Sequence, residues 1–108
     1  MIQAIEKLHG AHVCEWLSLD LGSIKSIDRC ADSFFGQNIS LDYLVNNAGF
    51  VGSRGSTKEG FELAFGVNYF GHYVLTRRLE CALIRSKNAR VVNVSSKVHS
   101  IVKKLDFA

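Results

Sequence analysis

The most constraining feature of this sequence is an apolar stretch, residues 41–45, that runs directly into two amides, a small residue and a glycine: Asn46, Asn47, Ala48 and Gly49. Such a sequence ends a strand, because Asn and Gly accept backbone angles that strands do not use. The ligands of open α/β sheets bind beyond the carboxyl ends of the strands. The stretch therefore predicts a buried strand, covered on both faces, whose end meets a flat or sugar-like ligand.

Composition and charge narrow the class of protein. The 108 residues are 47% hydrophobic and 21% charged, which fits one small globular domain. The net charge is +3, but the 13 Lys and Arg residues are scattered, so we expect no nucleic-acid surface. Three widely spaced cysteines predict reduced thiols inside the cell. We expect no membrane segment and no metal site, since no apolar run is long enough and no third ligand accompanies His9 and His12.

Periodicity predicts helices and strands in alternation along the chain. We expect helices at residues 2–8, 24–34 and 57–85, and strands at residues 12–21, 41–45 and 90–96. Gly10 and Gly36 follow the first two helices as C-caps, and Ser23 precedes the second as its N-cap. This order of elements is typical of right-handed parallel α/β units.

One polar residue interrupts the apolar stripe of the long helix, which comprises Phe61, Phe65, Asn68, His72, Leu75, Leu79 and Ala82. A buried amide such as Asn68 must be hydrogen-bonded, or it destabilises the fold. Two interpretations stay open: the amide satisfies a neighbouring backbone carbonyl, or it holds a water or a catalytic group at the strand ends. The hydroxyl pair Ser95 and Ser96 is similarly open, as a turn or cap or as a functional strand end.

Four motifs, in their usual order, resemble those of the short-chain dehydrogenases/reductases. Residues 46–49 match the family's Asn-Asn-Ala-Gly motif, and Leu19-Asp20-Leu21 looks like its strand-end Asp. Residues 60–72 are similar to the helix of the catalytic Asn, and residues 91–96 to the strand of the catalytic Ser. The helix most resembles the retinol dehydrogenase-like branch, which includes the WW-domain-containing oxidoreductases.

The resemblance implies that residues 1–108 are a partial NAD(P)-binding Rossmann domain, an α/β fold with a doubly wound parallel sheet. The chain would supply strands three to five, with the first two strands and the C-terminal part missing. The cofactor would be NAD or NADP, with a slight preference for NADP. The substrate would be a hydrophobic alcohol or carbonyl, such as a retinoid or steroid.

The resemblance also implies a role for individual residues. Asn68 would hold a water in a proton relay, and Ser96 would stabilise charge on the substrate oxygen. Seven residues would contact the cofactor: Asp20, Leu21, Asn47, Ala48, Gly49, Val67 and Val94.

Two motifs of the family are absent from this sequence. None of Tyr43, Tyr69 and Tyr73 is followed by Lys at the fourth position, and the Gly-rich turn that follows the first strand in the family is absent. We therefore expect a central fragment that is inactive and unstable or partner-dependent on its own. The complete parent would be cytoplasmic or associated with the endoplasmic reticulum, and a homo-oligomer. The alternatives are a non-catalytic isoform acting through protein interactions and a methyltransferase-like Rossmann protein.

Overall fold

A computed structural model describes residues 2–10, 13–52 and 54–100 of the chain. The elements are α1 (Ile2–His9), α2 (Ile24–Phe35), β1 (Tyr43–Asn46), α3 (Leu63–Phe65), a π-helical turn (Gly66–Gly71), α4 (His72–Arg85), β2 (Arg90–Asn93) and a 3₁₀ turn (Lys97–Ser100). Because α3, the π-helical turn and α4 are consecutive, they form one helical segment, residues 63–85.

The two strands form a parallel sheet. Their register pairs Tyr43 with Arg90 at one end and Asn46 with Asn93 at the other. The last backbone hydrogen bond runs from Val94 N–H to Asn46 O at 3.0 Å. A parallel pair joined through a helix confirms the α/β class, and it brings the amides of Asn46 and Asn93 together at the carboxyl end of the sheet.

The strand predicted at residues 12–21 is wrong for residues 13–21, the part of that range that the structure describes. These residues pair with no other strand among those described, and Trp16 is 75% exposed. Apolar content favours a strand, but only a neighbouring backbone provides the hydrogen-bond partners that make one. His12 lies outside the described residues.

The other two strands are shorter than predicted. β1 begins at Tyr43 and ends at Asn46, and β2 ends at Asn93, before the Ser95–Ser96 pair. The expectation that β1 is covered on both faces is also wrong, because Val45 is 55% exposed while Leu44 packs against the core. The described helices cover only one face of this sheet.

The first two helices are bounded by the cap residues that the sequence predicts. Gly10, at φ +99°, ends α1, and its N–H donates to Glu6 O at 2.9 Å. Ser23 begins α2, and its Oγ accepts from Ser26 N–H at 3.4 Å. Gly36 ends α2 in a right-handed conformation, and the left-handed residue of the following turn is Asn38, at φ +53°.

The long helix begins at Leu63 and not at residue 57. Gly60 has φ +87°, and an antiparallel bridge between Ser56 and Glu62 closes the turn that precedes the helix. Glu62 is the N-cap: its carboxylate accepts from Ala64 N–H at 3.0 Å and from Phe65 N–H at 2.7 Å. Because these bonds are made to the ionised form, they lower the pKa of Glu62, with the Phe65 bond contributing most.

Glu62→Gln should destabilise the chain at neutral pH and have progressively less effect in acid. A depressed folded-state pKa contributes stability above the unfolded-state pKa, and this contribution is lost as the pH falls through the folded-state value. The measurement is the urea midpoint of both proteins from about pH 7 to about pH 3. The exposed Glu15→Gln serves as the matched control. A difference between wild type and Glu62→Gln that is the same at every pH would contradict the assignment.

The core lies between α2 and α4. Its buried members are Leu21, Ile27, Ala31, Leu75 and Leu79. The predicted stripe of the long helix is buried from His72 onward, but Phe65 and Asn68 are exposed. The expected burial of Asn68 is therefore wrong. A π-helical turn bonds residue i to i+5, so a spacing of three and four does not stay on one face through it.

No helix within the described residues is both long and apolar enough to cross a membrane.

Candidate functional site

The site begins where the two strands end. Asn46 is 6% exposed, and its Nδ2 donates to Asn93 Oδ1 at 2.8 Å and to Thr76 Oγ1 at 3.1 Å. The single hydroxyl hydrogen of Thr76 goes to His72 O, at 2.8 Å, so Thr76 must accept from Asn46. This fixes the orientation of the Asn46 amide. Its Oδ1 is buried without a hydrogen-bond partner among the described residues, and is an acceptor for a water or a ligand donor.

The segment after β1 is held against the helix by Asn68. Its Oδ1 accepts from Phe50 N–H and its Nδ2 donates to Phe50 O, both at 2.9 Å. This is the contact that the structural interpretation of Asn68 requires, since the amide satisfies a neighbouring backbone carbonyl. The role of Asn68 in a proton relay stays a prediction.

Five of the predicted cofactor residues line one cleft of about 430 Å³, called the Asp20 cleft below: Asp20, Leu21, Ala48, Gly49 and Val67, together with Leu19 and Phe50. Three separate segments of the chain contribute to it. At Gly49 a Cβ would meet no atom closer than Asn68 Oδ1, at 3.9 Å. The main chain there is open to close approach by a flat ligand.

One oxygen of the Asp20 carboxylate already accepts a hydrogen bond from the chain itself. Its Oδ1 accepts from Gly22 N–H at 2.9 Å, and its Oδ2 lies 4.0 Å from Lys58 Nζ. The side chain is 58% exposed, so solvent weakens the pairing with Lys58. Oδ2 is therefore available to accept a hydrogen bond from a ligand in the Asp20 cleft.

A second cleft, of about 410 Å³, lies between the helical segment and the strand ends and is called the Asn46 cleft below. Its lining includes Asn46, Asn68, His72, Asn93, Val94 and Ser95. Two predicted site residues, Asn68 and Val94, lie here. Asn47 and Ser96 are exposed, and neither is among the lining residues of the two clefts.

Sequence reasoning missed part of this arrangement. The roles of Asn46, Thr76, Asn93 and Phe50 were not predicted, and His72 was treated only as a member of the apolar stripe. One signal was present in the sequence: Asn68, His72 and Thr76 recur at steps of four, and in the structure all three line the Asn46 cleft. The described residues include no group of three or more His, Cys, Asp or Glu side chains that could hold a metal ion.

Known proteins with related sequences identify the family of this chain. The sequence model of the short chain dehydrogenase family matches residues 1–103. The WW domain-containing oxidoreductase of Gallus gallus is 41% identical over 111 residues, covering 96% of this chain and 27% of that protein. Retinol dehydrogenase 13 of Homo sapiens is 40% identical over 90 residues, covering 82% of this chain and 27% of that protein.

A solved structure of a short-chain oxidoreductase is also similar to this chain. A metagenomic short-chain oxidoreductase in complex with NADP superimposes with a TM-score of 0.64 at 29% identity, covering 87% of this chain and 45% of that one. The chain spans less than a third of the length of the curated relatives it matches. Nearly all of its own length is nevertheless matched, with the Asp20 cleft and the strand-end amides inside the matched region, and so the chain belongs to the short-chain dehydrogenase/reductase family.

Proposed function

We propose that this chain is part of an NAD(P)(H)-dependent oxidoreductase that transfers a hydride between the nicotinamide cofactor and a hydrophobic alcohol or carbonyl. The observation that carries the proposal is the Asp20 cleft. It gathers Asp20, Ala48–Gly49 and Val67 from three distant segments, and the resemblance to the family assigns these residues to the cofactor.

The chemistry of this cleft fits the adenosine half of the cofactor. The Asp20 carboxylate can accept from the adenine amino group, and the apolar Leu21 and Val67 can pack against the ring. The open main chain at Gly49 lets the sugar approach closely. An acceptor, apolar walls and exposed backbone are the three features that a flat, polar-edged ligand needs.

The chemical step belongs to the other end of the cofactor, beyond the strand ends. When bound, the nicotinamide supplies or accepts the hydride. Ser96, beyond the end of β2, would donate a hydrogen bond to the substrate oxygen and stabilise the charge that develops there. Asn68 would hold the Phe50 backbone and contribute to the proton relay. The sequence contains no Tyr-x-x-x-Lys, so this chain alone would not complete the reaction.

The finer features of the proposal rest on the relatives. NADP is preferred over NAD because a matched short-chain oxidoreductase was solved with NADP. A retinoid- or steroid-like substrate is proposed because one relative is a retinol dehydrogenase. Both features concern the complete protein.

NADPH binding to the 108-residue chain tests the proposal, and saturation-transfer NMR suits the weak affinity expected of a partial site. Gly49→Leu should raise the Kd about tenfold or more, because it replaces the open main chain of a residue that lines the Asp20 cleft with a bulky side chain. Val51→Leu, at a neighbouring residue that is 97% exposed, is the matched control and should leave the Kd unchanged. An absence of binding by the wild-type chain, or equal binding by Gly49→Leu, would refute the proposed cofactor site.

A second candidate function is binding to another protein without catalysis, for example to a full-length relative. The observation that favours it is the uncovered apolar sheet, where Tyr43 is 67%, Val45 55% and Val92 44% exposed. A chain that does not bind NADPH but co-elutes with a full-length relative in size-exclusion chromatography would support this alternative over the first.

A further inference from the structure

The segment that joins β1 to the loop beyond it is held at both ends by one face of the helical segment. At its start, Asn46 Nδ2 donates to Thr76 Oγ1 at 3.1 Å. At its end, the Phe50 backbone is bonded twice to the Asn68 amide, at 2.9 Å each. The three residues between these anchors, 47–49, are exposed. Their position therefore depends on two points of the helix.

His72 lies between the two anchor residues of the helix and is bonded to both. Its Nδ1 lies 2.9 Å from Asn68 O, and its own carbonyl accepts from Thr76 Oγ1 at 2.8 Å. A carbonyl oxygen can only accept, so Nδ1 must carry the hydrogen. The residue is 8% exposed, so little water competes for these bonds. The imidazole thus has one defined tautomer when neutral, with Nδ1 protonated.

The backbone bonding at His72, just after the π-helical turn, explains why a side chain takes this position. In an α-helix the backbone N–H of His72 would donate to Asn68 O, four residues earlier. Here that N–H donates to Tyr69 O instead. The Nδ1–H group replaces the missing α-helical donor, and it fixes the residue whose amide holds Phe50.

We propose that His72 is a positioning residue of the cofactor site. Through Nδ1–H it fixes Asn68, and through Asn68 it fixes the Phe50 end of residues 47–49. This inference rests on the proposed function, in which those residues contact the cofactor. His72 itself touches neither the cofactor nor the substrate in this scheme.

The experiment compares two substitutions of His72 in the 108-residue chain. His72→Asn keeps an amide donor close to the place of Nδ1, whereas His72→Gln moves its donor one bond further from the backbone. His9→Gln, at an exposed histidine of α1, controls for the chemistry of the substitution. The readouts are the hydrogen-exchange rate of the Phe50 amide and the ¹⁵N shifts of the His72 ring, with circular dichroism as the check on helix content.

We expect the His72 ring of the wild type to be protonated at Nδ1 when neutral. His72→Gln should exchange the Phe50 amide about tenfold faster, while His72→Asn and His9→Gln stay close to wild type. An Nε2-protonated neutral ring would overturn the proposal. So would an unchanged Phe50 rate in His72→Gln, or an equal acceleration in both His72 variants at unchanged helix content. If His72→Gln does not fold, the wild-type tautomer and the Phe50 rate of His72→Asn decide.

NADPH binding separates this inference from the function on which it rests. A Kd about tenfold weaker in His72→Gln, and restored in His72→Asn, supports the positioning role. Wild-type binding that His72→Gln leaves intact overturns it. If the wild type does not bind NADPH, the cofactor role of His72 is refuted together with the proposed function. The exchange rates of the Phe50 amide then decide alone whether His72 holds the Phe50 backbone in place.

Discussion

Gly71→Ala should destabilise the chain by about 3 kcal/mol, at the upper end of what overpacking costs. A Cβ at Gly71 would overlap the backbone oxygen of Leu21 and lie 2.9 Å from the Leu21 Cβ. The clash is with main chain, which no side-chain rotation relieves. The helical segment would have to move away from the turn at residues 20–22, and this turn carries Asp20 into its cleft.

The measurement for Gly71→Ala is urea unfolding followed by far-ultraviolet circular dichroism, since Trp16 is 75% exposed and would report poorly on the core. Gly36→Ala is the matched control. Gly36 is right-handed, at φ −59°, and the nearest atom to its Cβ would be Ser33 O at 3.4 Å. The free energy of unfolding of that variant should stay within about 0.5 kcal/mol of the wild-type value. A Gly71→Ala protein as stable as Gly36→Ala would mean that the helix does not pack against Leu21 as described.

Ile27→Ala should cost a similar amount, about 3 kcal/mol, by a different mechanism. Ile27 is 1% exposed and is part of the cluster that joins α2 to α4 with Leu75 and Leu79. Truncation removes three buried carbon atoms and leaves a cavity that the remaining side chains fill only in part. With so small a core, a loss of this size is a large fraction of the total stability.

The control for Ile27→Ala is the same substitution on the outside of α4. Ile84 is 75% exposed, so Ile84→Ala removes little buried area, and alanine favours the helix. It should leave the free energy of unfolding within about 0.5 kcal/mol of wild type. An equal loss of stability in Ile27→Ala and Ile84→Ala would contradict a core located between α2 and α4. A wild-type chain without a cooperative transition would instead bear out the expectation that the fragment is unstable alone.

Local signals in the sequence predicted the local features of the fold. The caps at Ser23 and Gly10 and the end of β1 at the Asn-Asn-Ala-Gly motif lie where residue chemistry placed them. Each depends on a bond or a backbone angle within a few residues, so the sequence alone specifies it. The resemblance to the family named five of the seven residues that line the Asp20 cleft, and their contact with a cofactor stays a prediction.

The two wrong predictions, for residues 13–21 and for Asn68, have one physical cause in common. Residues 13–21 have the composition of a strand and pair with no other strand among those described, because pairing depends on which backbone lies alongside. Asn68 was expected in the core, but the π-helical turn rotates it outward. Neither outcome can be derived from the periodicity of the segment itself.

The α/β class and the helix caps at Ser23 and Gly10 follow from the sequence alone, because they depend on side-chain chemistry at fixed spacing. The cofactor residues follow only from the resemblance to a family, and their role stays a prediction. The hydrogen-bonded path around residues 47–49 depends instead on tertiary packing. It runs through Asn46, Thr76, His72, Asn68 and Phe50. That path joins a strand, a helix and a loop. Hydrogen bonds require partners within about 3 Å, and only the packing of the helix on the sheet brings these segments so close.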